Sequence, residues 1–185
     1  LDINSSIMHD VASSNSPIEV FLNCNKKIDI VCMAHVLEHV PNPLEMIDKI
    51  SNKLRKGALL AVEVPNDFSK LQEYLLRNNH IDHEYWISPP DHLSYFTEES
   101  LVKVGEEHGF IHEQTLGSFP IELFLLGEDS NYKKHPQRGK SAHMARCLFD
   151  SFIYDTFGVE SLLNLYSNSE MRNISRSITC ILRKS

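Results

Sequence analysis

The stretch IDIVCMAHVLEHVPNP, Ile28 to Pro43, carries the strongest fold signal in the chain. Its first part, Ile28–Ala34, is a nearly continuous apolar run that is rich in β-branched side chains. A run of this length and composition predicts a β-strand that is buried on both faces, as in a parallel sheet. His35 would then follow the end of the strand directly, where it can face a crevice.

The segments after this strand alternate between helix and strand patterns. Asn42 and Pro43 begin a predicted helix, because Asn is a favourable N-cap and Pro suits the first helical position. We expect this helix to end at Lys56-Gly57. Further strands are predicted at 58–64, 110–116 and 175–184, and further helices at 68–79 and 98–108. The alternation predicts an α/β fold with a mainly parallel sheet.

The composition is that of an ordinary globular protein of 185 residues, with 42% hydrophobic residues and a net charge of −7. Acidic residues dominate before residue 131, which argues against nucleic acid as a partner. No apolar stretch reaches the ~20 residues of a membrane span, so we expect no membrane partner. The four cysteines form no CxxC pair and favour a reducing, cytoplasmic location.

Three segments resemble, in order and spacing, those of class I S-adenosylmethionine-dependent methyltransferases. They are Ile28–Asp67, which contains "LEHV" and "EVPN", Asp91–Phe110, which contains "HLSYFT", and the closing SRSITCILRK. The resemblance implies a Rossmann-like sheet with an antiparallel last strand, incomplete at the N-terminus. It also implies one partial methyltransferase domain over residues 1–185, with a mostly helical insertion at about 120–172. The implied activity is methyl transfer from S-adenosylmethionine to a small-molecule acceptor.

The resemblance also implies roles for individual residues. Cofactors in open α/β sheets bind at the carboxyl ends of the strands, and Ala34 and His35 match that position. Asp2 matches the family's ribose-binding acidic residue, and Asn23 or Cys24 would lie near the adenine. The candidates for catalysis are His39, His92 and Tyr95, of which the last two match a segment near the acceptor site. His92 could take a proton from an acceptor hydroxyl, because the pKa of an unperturbed imidazole lies near neutrality.

One feature of the family is missing from this sequence. The family's first strand carries a glycine-rich loop that lets the backbone approach the cofactor, and no GxG occurs among the seven glycines here. In the family strand order 3-2-1-4-5-7-6, the missing strand lies in the middle of the sheet. We therefore expect either a part of a longer protein or rearranged strands, and impaired binding of S-adenosylmethionine unless the missing part is supplied.

The stretch HVLEH, His35 to His39, admits other interpretations. It matches the HxxEH pattern of inverted zinc peptidases, which needs both histidines on one helix face. Pro41 and Pro43 leave little room for such a helix. Glu38 and His39 also match the last two positions of the E-x-x-E-H metal site in ubiquinone-pathway O-methyltransferases, although we predict no bound metal. A further alternative is a non-catalytic, methyltransferase-like binding domain.

The segment from Gly127 to Phe152 is rich in basic residues and falls between the last two predicted strands. Members of the resembled family vary their substrate pockets in this region. The basic character favours an anionic or sugar-linked acceptor, such as a phosphorylated or nucleotide-linked sugar. A solvated helix face explains the same charges equally simply.

Overall fold

The computed structural model describes Asn23 and residues 26–185, and this part contains one four-stranded sheet. β1 and β2 are parallel, whereas β4 runs antiparallel to both of its neighbours. Three strands therefore point one way and the last strand points the other, which confirms the predicted α/β sheet with an antiparallel last strand. The strands, in the spatial order β1-β2-β4-β3, are Ile28–Ala34 (β1), Leu54–Pro65 (β2), Phe110–Gly117 (β3) and Ser177–Lys184 (β4).

Three α-helices lie between β1 and β3 in the described part of the chain, and each begins at a side-chain cap. The side chain of Asn42 accepts a hydrogen bond from the backbone N–H of Glu45, as predicted. Ser69 and Thr97 each form a capping box with the residue three positions later. The caps satisfy backbone N–H groups that have no partner inside the helix. The helices are Pro43–Lys53 (α1), Lys70–Arg77 (α2) and Glu98–Glu107 (α3).

The end of α1 differs from the prediction. The helix ends at Lys53 rather than at Lys56-Gly57, and β2 begins at the next residue. Ile28 pairs with Leu54 and Ile30 pairs with Leu59, so the pairing shifts between them and β2 carries extra residues. Gly57 lies in this bulge with a φ of 82°, a left-handed conformation that glycine adopts without steric cost.

The burial of β1 also differs from the prediction. Met33 is buried against the core, whereas Ile30 is 61% exposed and Cys32 is exposed. The alternation of side chains along a strand puts Met33 on one face and the other two on the opposite face. In the described part of the chain, β1 is therefore buried on one face only, and the prediction of two buried faces is wrong.

The main core lies between the sheet, α1 and α3. Leu60, Val62 and Val64 of β2 have no exposed surface, and they cluster with Ile50 of α1 and Leu101 of α3. A second, smaller cluster forms around α2. It comprises Leu71, Leu75, Ile81, Trp86 and Leu125. This second cluster supports the loops that follow the carboxyl ends of β1 and β2.

Helices fill most of the segment between β3 and β4. The short 3₁₀ helices are Ile121–Leu126, Glu128–Ser130 and Pro136–Arg138, and the α-helices are Gly139–Phe157 (α4), Val159–Ser167 (α5) and Ser169–Ile174 (α6). None of the helices in the described part of the chain is both long enough and apolar enough to span a bilayer.

Candidate functional site

The turn after β1 places His35 at the carboxyl end of the sheet. The backbone N–H of His35 donates to the carbonyl oxygen of Glu63 in β2 at 3.0 Å. His35 adopts a φ of 52°, a left-handed conformation that is strained for a residue other than glycine. This conformation ends β1 and directs the chain into the short 3₁₀ helix Leu37–His39.

The imidazole of His35 lies between two carboxylates. Its Nδ1 is 3.3 Å from Oε1 of Glu38, and its Nε2 is 3.4 Å from Oε1 of Glu63. The hydrogen bond to Glu38, followed by the one to Glu63, raises the pKa of His35 to about 9. His35 is therefore a cation at neutral pH. The contact with His35 in turn lowers the pKa of Glu63, a residue that the sequence did not single out.

Glu38 is the buried member of this group. The residue is 1% exposed, and its Oε2 has no hydrogen-bond partner among the described residues. Burial acts to raise the pKa of Glu38, but the His35 contact and the nearby backbone outweigh it, so the pKa is lowered. Its backbone carbonyl oxygen accepts from the N–H groups of Leu93 at 2.8 Å and Ser94 at 3.1 Å. Glu38 thus joins the turn after β1 to the loop that carries His92.

Two imidazoles from distant parts of the chain meet beside this turn. The ring centroids of His39 and His92 are 5.0 Å apart, and their planes are inclined by 73°. Nδ1 of His39 is 2.6 Å from the carbonyl oxygen of Asp91, so the geometry assigns the proton to Nδ1. Nδ1 of His92 is buried and lacks a hydrogen-bond partner in the described part. Two of the predicted catalytic candidates are therefore brought together, while their roles stay predictions.

Glu38, His39 and His92 form a group that could hold a metal ion. One ligand atom from each residue lies within 4.8 Å of the other two. A carboxylate with two imidazoles suits zinc or a similar divalent transition metal. Sequence reasoning considered Glu38 and His39 for such a site but not His92, because the loop contact was not visible in the sequence. The expectation of no bound metal stays a prediction.

The third catalytic candidate, Tyr95, has a supporting position. Its hydroxyl accepts a hydrogen bond from the backbone N–H of Ser88 at 3.1 Å and donates one to the carbonyl oxygen of His92 at 3.3 Å. Both bonds hold the loop around His92, so the hydroxyl already has two partners. In this structure Tyr95 positions the loop, and a direct role in catalysis stays a prediction.

The predicted cofactor-binding residues fall into three groups. Ala34 is the last residue of β1 and is half-buried next to His35. The sequence pattern PIEVFLN, Pro17 to Asn23, predicts a strand that ends at Asn23, but Asn23 is helical and exposed, so that strand end is wrong, whereas its contact with a cofactor stays a prediction. Asp2 and Cys24 lie outside the described residues.

A pocket of about 510 Å³ opens beside the two imidazoles, which is within the usual size for small-molecule sites. Asp91 and the two histidines line one part of it. Aromatic and basic side chains from other segments line the rest. The complete lining consists of His39, Tyr85, Trp86, Ser88, Pro90, Asp91, His92, Lys133 and Arg176.

Two buried carboxyl groups near the pocket were missed by sequence reasoning. Asp67 is 1% exposed, and neither of its carboxylate oxygens makes a hydrogen bond of standard geometry to a described residue. Burial raises the pKa of Asp67 to about 7, with Arg176 opposing the shift. Glu122 is also 1% exposed and accepts from the Tyr85 hydroxyl at 3.1 Å and from Nη1 of Arg176 at 3.3 Å. A polar Asn-Asp pair directly after β2 was the available signal for Asp67.

The geometry of HVLEH does not fit the zinc-peptidase pattern. His35 ends a strand and only Leu37–His39 is helical, so the two histidines do not share one face of an α-helix. Glu38, which would have to serve as a free base, is paired with His35 at 3.3 Å. The possible metal ligands in the described part include His39 but not His35. The local structure thus follows the strand-end interpretation.

A comparison with protein-family models gives a match over residues 5–114, more than half of the chain, to the family described as "Methyltransferase domain". These residues include β1, β2, the His39 turn and the His92 loop. A search of curated proteins found no match.

Comparison with solved structures gives matches at low sequence identity, of which the first named here supports the fold. An S-adenosylmethionine-dependent methyltransferase from Archaeoglobus fulgidus is 16% identical with a TM-score of 0.52, covering 99% of this chain and 74% of its own. A candidate sarcosine dimethylglycine methyltransferase from Galdieria sulphuraria is 16% identical with a TM-score of 0.46, and the match covers 89% of this chain. A candidate histamine N-methyltransferase from Thermotoga maritima is 13% identical with a TM-score of 0.48 and the same coverage of 89%. This chain spans 57% and 61% of the length of the last two proteins.

Proposed function

The chain belongs to the methyltransferase domain family, and on that premise we propose that it transfers a methyl group from S-adenosylmethionine to a small-molecule acceptor. The observation that carries the proposal is the convergence of His39 and His92 on a pocket beside the carboxyl end of β1. Pockets at the carboxyl ends of strands are the usual ligand sites of open α/β sheets. The fold, the family and the pocket thus support one activity.

The cofactor would bind where β1 ends. Ala34 and His35 would contact it there, and the His35 imidazolium would offer a positive charge to a carboxylate. We propose that this chain binds S-adenosylmethionine weakly, because the sequence contains no GxG for close backbone approach. A cytoplasmic location is part of the same proposal, and the free thiols of Cys32, Cys147 and Cys180 support it.

The two histidines would supply the protein's part of the chemistry. When bound, the cofactor supplies a methyl group on a sulfonium, which is an activated leaving group. As the acceptor atom took up this methyl group and the sulfonium left as a neutral thioether, an imidazole of the chain would accept the proton that the acceptor gives up. His92 fits this role because its side chain lines the pocket, and His39 fits because its Nδ1 donates to Asp91 while its Nε2 lies 3.7 Å from Oε1 of Glu38, a carboxylate that would stabilise the added proton. The walls of the pocket would orient the acceptor.

The acceptor would be anionic or sugar-linked. Lys133, from the basic segment singled out in the sequence, lines the pocket together with Arg176. The alternative function, a non-catalytic binding domain, would use the same pocket without a bound methyl donor. The absence of a GxG from the sequence favours this alternative, so the two functions have to be separated by experiment.

Isothermal titration of the full chain with S-adenosylmethionine tests the proposal. We expect saturable heat, and a loss of affinity of about tenfold in His35→Gln, because a charged contact is removed. His143→Gln on the exposed face of α4 is the matched control and should bind as the original chain does. Absence of saturable binding would contradict methyl transfer by this chain and favour the non-catalytic alternative.

A second measurement addresses catalysis. Transfer of a labelled methyl group to a panel of phosphorylated and nucleotide-linked sugars should be lowered by about 10²-fold in His92→Asn, because a general base is lost. Binding of S-adenosylmethionine should be unchanged in the same variant. Equal transfer rates in the original chain and the variant would remove His92 from the mechanism.

A further inference from the structure

Besides the histidines, the pocket is lined by two cations and by a tryptophan whose indole N–H has no hydrogen-bond partner among the described residues. Nζ of Lys133 lies 3.7 Å from the ring centroid of Tyr85, and the guanidinium carbon of Arg176 lies 5.9 Å from the same centroid. Both cations therefore lie near the same aromatic ring and line the same pocket. Arg176 acts on Lys133 as a like charge, and an anion bound between or beside them would relieve this repulsion.

The carboxylates nearby do not neutralise this pair. Glu122 is shared by Arg176 and the Tyr85 hydroxyl. Among the described residues no carboxylate lies within ion-pair distance of Nζ of Lys133, whereas Lys134 is paired with Glu128 at 2.8 Å. Asp91 lines the pocket from the histidine side without forming an ion pair to either cation in the described part. Burial, followed by Arg176, lowers the pKa of Lys133, and the opposing effect of Glu122 is smaller.

An unused donor belongs to the same pocket wall. Trp86 is 3% exposed and lines the pocket, and its indole Nε1–H has no hydrogen-bond partner among the described residues. An indole N–H can donate but cannot accept. A buried donor without a partner is destabilising, so a ligand atom that accepts this hydrogen bond would be bound more tightly.

We propose that Lys133, Arg176 and Trp86 form an oxyanion subsite that binds a phosphate or carboxylate group of the acceptor. Each of the three side chains donates hydrogen bonds, and none of them accepts one. This inference rests on the proposed function in so far as it names the ligand as the methyl acceptor. The subsite would hold the anionic end of the acceptor while its reactive end faces His39 and His92. Lys133 thereby becomes a residue that determines specificity.

The only tryptophan of the chain is Trp86, so its indole signals report on this subsite alone. We suggest titrating the full chain, without any methyl donor, with inorganic phosphate, pyrophosphate or acetate at constant ionic strength. The indole N–H resonance and the tryptophan fluorescence should shift in a saturable way with at least one anion. Saturation by the phosphates alone would identify a phosphoryl group, and saturation by acetate alone would identify a carboxylate.

Two lysine variants decide whether the effect is specific. Lys133→Met keeps the aliphatic stem, and we expect it to weaken anion binding by about tenfold or more, because a charged hydrogen bond is lost. Lys134→Met is the matched control, since Lys134 is adjacent but paired with Glu128, and its affinity should stay within about twofold. Equal weakening in both variants, or no saturable shift with any anion, would overturn the subsite. Because no cofactor is present, these outcomes do not depend on whether the chain transfers methyl groups.

Discussion

Replacement of Asp67 with asparagine should stabilise the protein at pH 8 but much less at pH 4. Asp67 is 1% exposed, and burial raises the pKa of its carboxyl from 3.8 to about 7. Above pH 3.8 the unfolded chain releases this proton, while the folded chain holds it until about pH 7. The free energy of unfolding therefore falls as the pH rises through this interval and then stays level. Asparagine carries no such proton, so Asp67→Asn removes this pH dependence.

The size of the effect follows from the two pKa values. Each pH unit between them corresponds to ~1.36 kcal/mol, so the interval from 3.8 to about 7 corresponds to about 4 kcal/mol. The free energy of unfolding of Asp67→Asn, relative to that of the original chain, should therefore rise by up to about 4 kcal/mol between pH 4 and pH 8. A change in packing alters the free energy of unfolding equally at pH 4 and pH 8. The difference between the two measurements therefore reports only the ionisation of Asp67.

Urea unfolding at pH 4, 6 and 8, followed by circular dichroism, measures this difference. Asp129→Asn serves as the control, because Asp129 is exposed in the 3₁₀ helix Glu128–Ser130 and its replacement should change the free energy of unfolding little at any pH. A difference between Asp67→Asn and the original chain that is the same at pH 4 and pH 8 would refute the argument. It would mean that the carboxyl of Asp67 ionises in the folded protein as it does in water.

Two other outcomes follow from the contacts described above. In Glu63→Gln, the pKa of His35 should fall from about 9 towards its ordinary value, because one of the two carboxylates that contact its imidazole is removed. A titration of the imidazole protons by NMR measures this pKa. An unchanged pKa would exclude the contact between His35 and Glu63. Leu60→Ala should lower the free energy of unfolding by about 2–5 kcal/mol, since Leu60 has no exposed surface. Leu59→Ala, on the other and less buried face of β2, should cost clearly less in the same urea experiment, and an equal cost would contradict the assigned facing of β2.

The strands could be predicted because each carries its own apolar pattern. The run Ile28–Ala34 is a strand with the expected bounds, and its end places His35 at the edge of the sheet. The exposure of Ile30 could not be predicted, because the burial of a strand depends on what packs against each face. The end of α1 at Lys53 was likewise decided by pairing between β1 and β2, which a single segment does not reveal.

The site was predictable only in part, because it too depends on contacts between segments that are distant in the sequence. His35, His39 and His92 stood out because they occur in segments that resemble a known family. Their partners could not be found in this way. Glu63 lies in the middle of an apolar strand pattern, and Arg176 lies directly before β4, so neither differs from a surface residue in the sequence. The fold places Glu63 beside His35 and Arg176 beside Glu122. Local sequence patterns predict the helices and strands. Which charged side chains contact each other depends on how those helices and strands pack.

The position of β4 also bears on how the protein is made. β4 pairs with both β2 and β3 but follows them in the chain. During synthesis β2 follows its parallel neighbour β1, whereas β3 has no strand partner in the described part until residues 177–184 have been made. Unpaired strand edges of a nascent chain attract wrong partners. A chain that lacks β4 would therefore expose one edge of β2 and the whole of β3, and we expect it to aggregate more readily than the full chain.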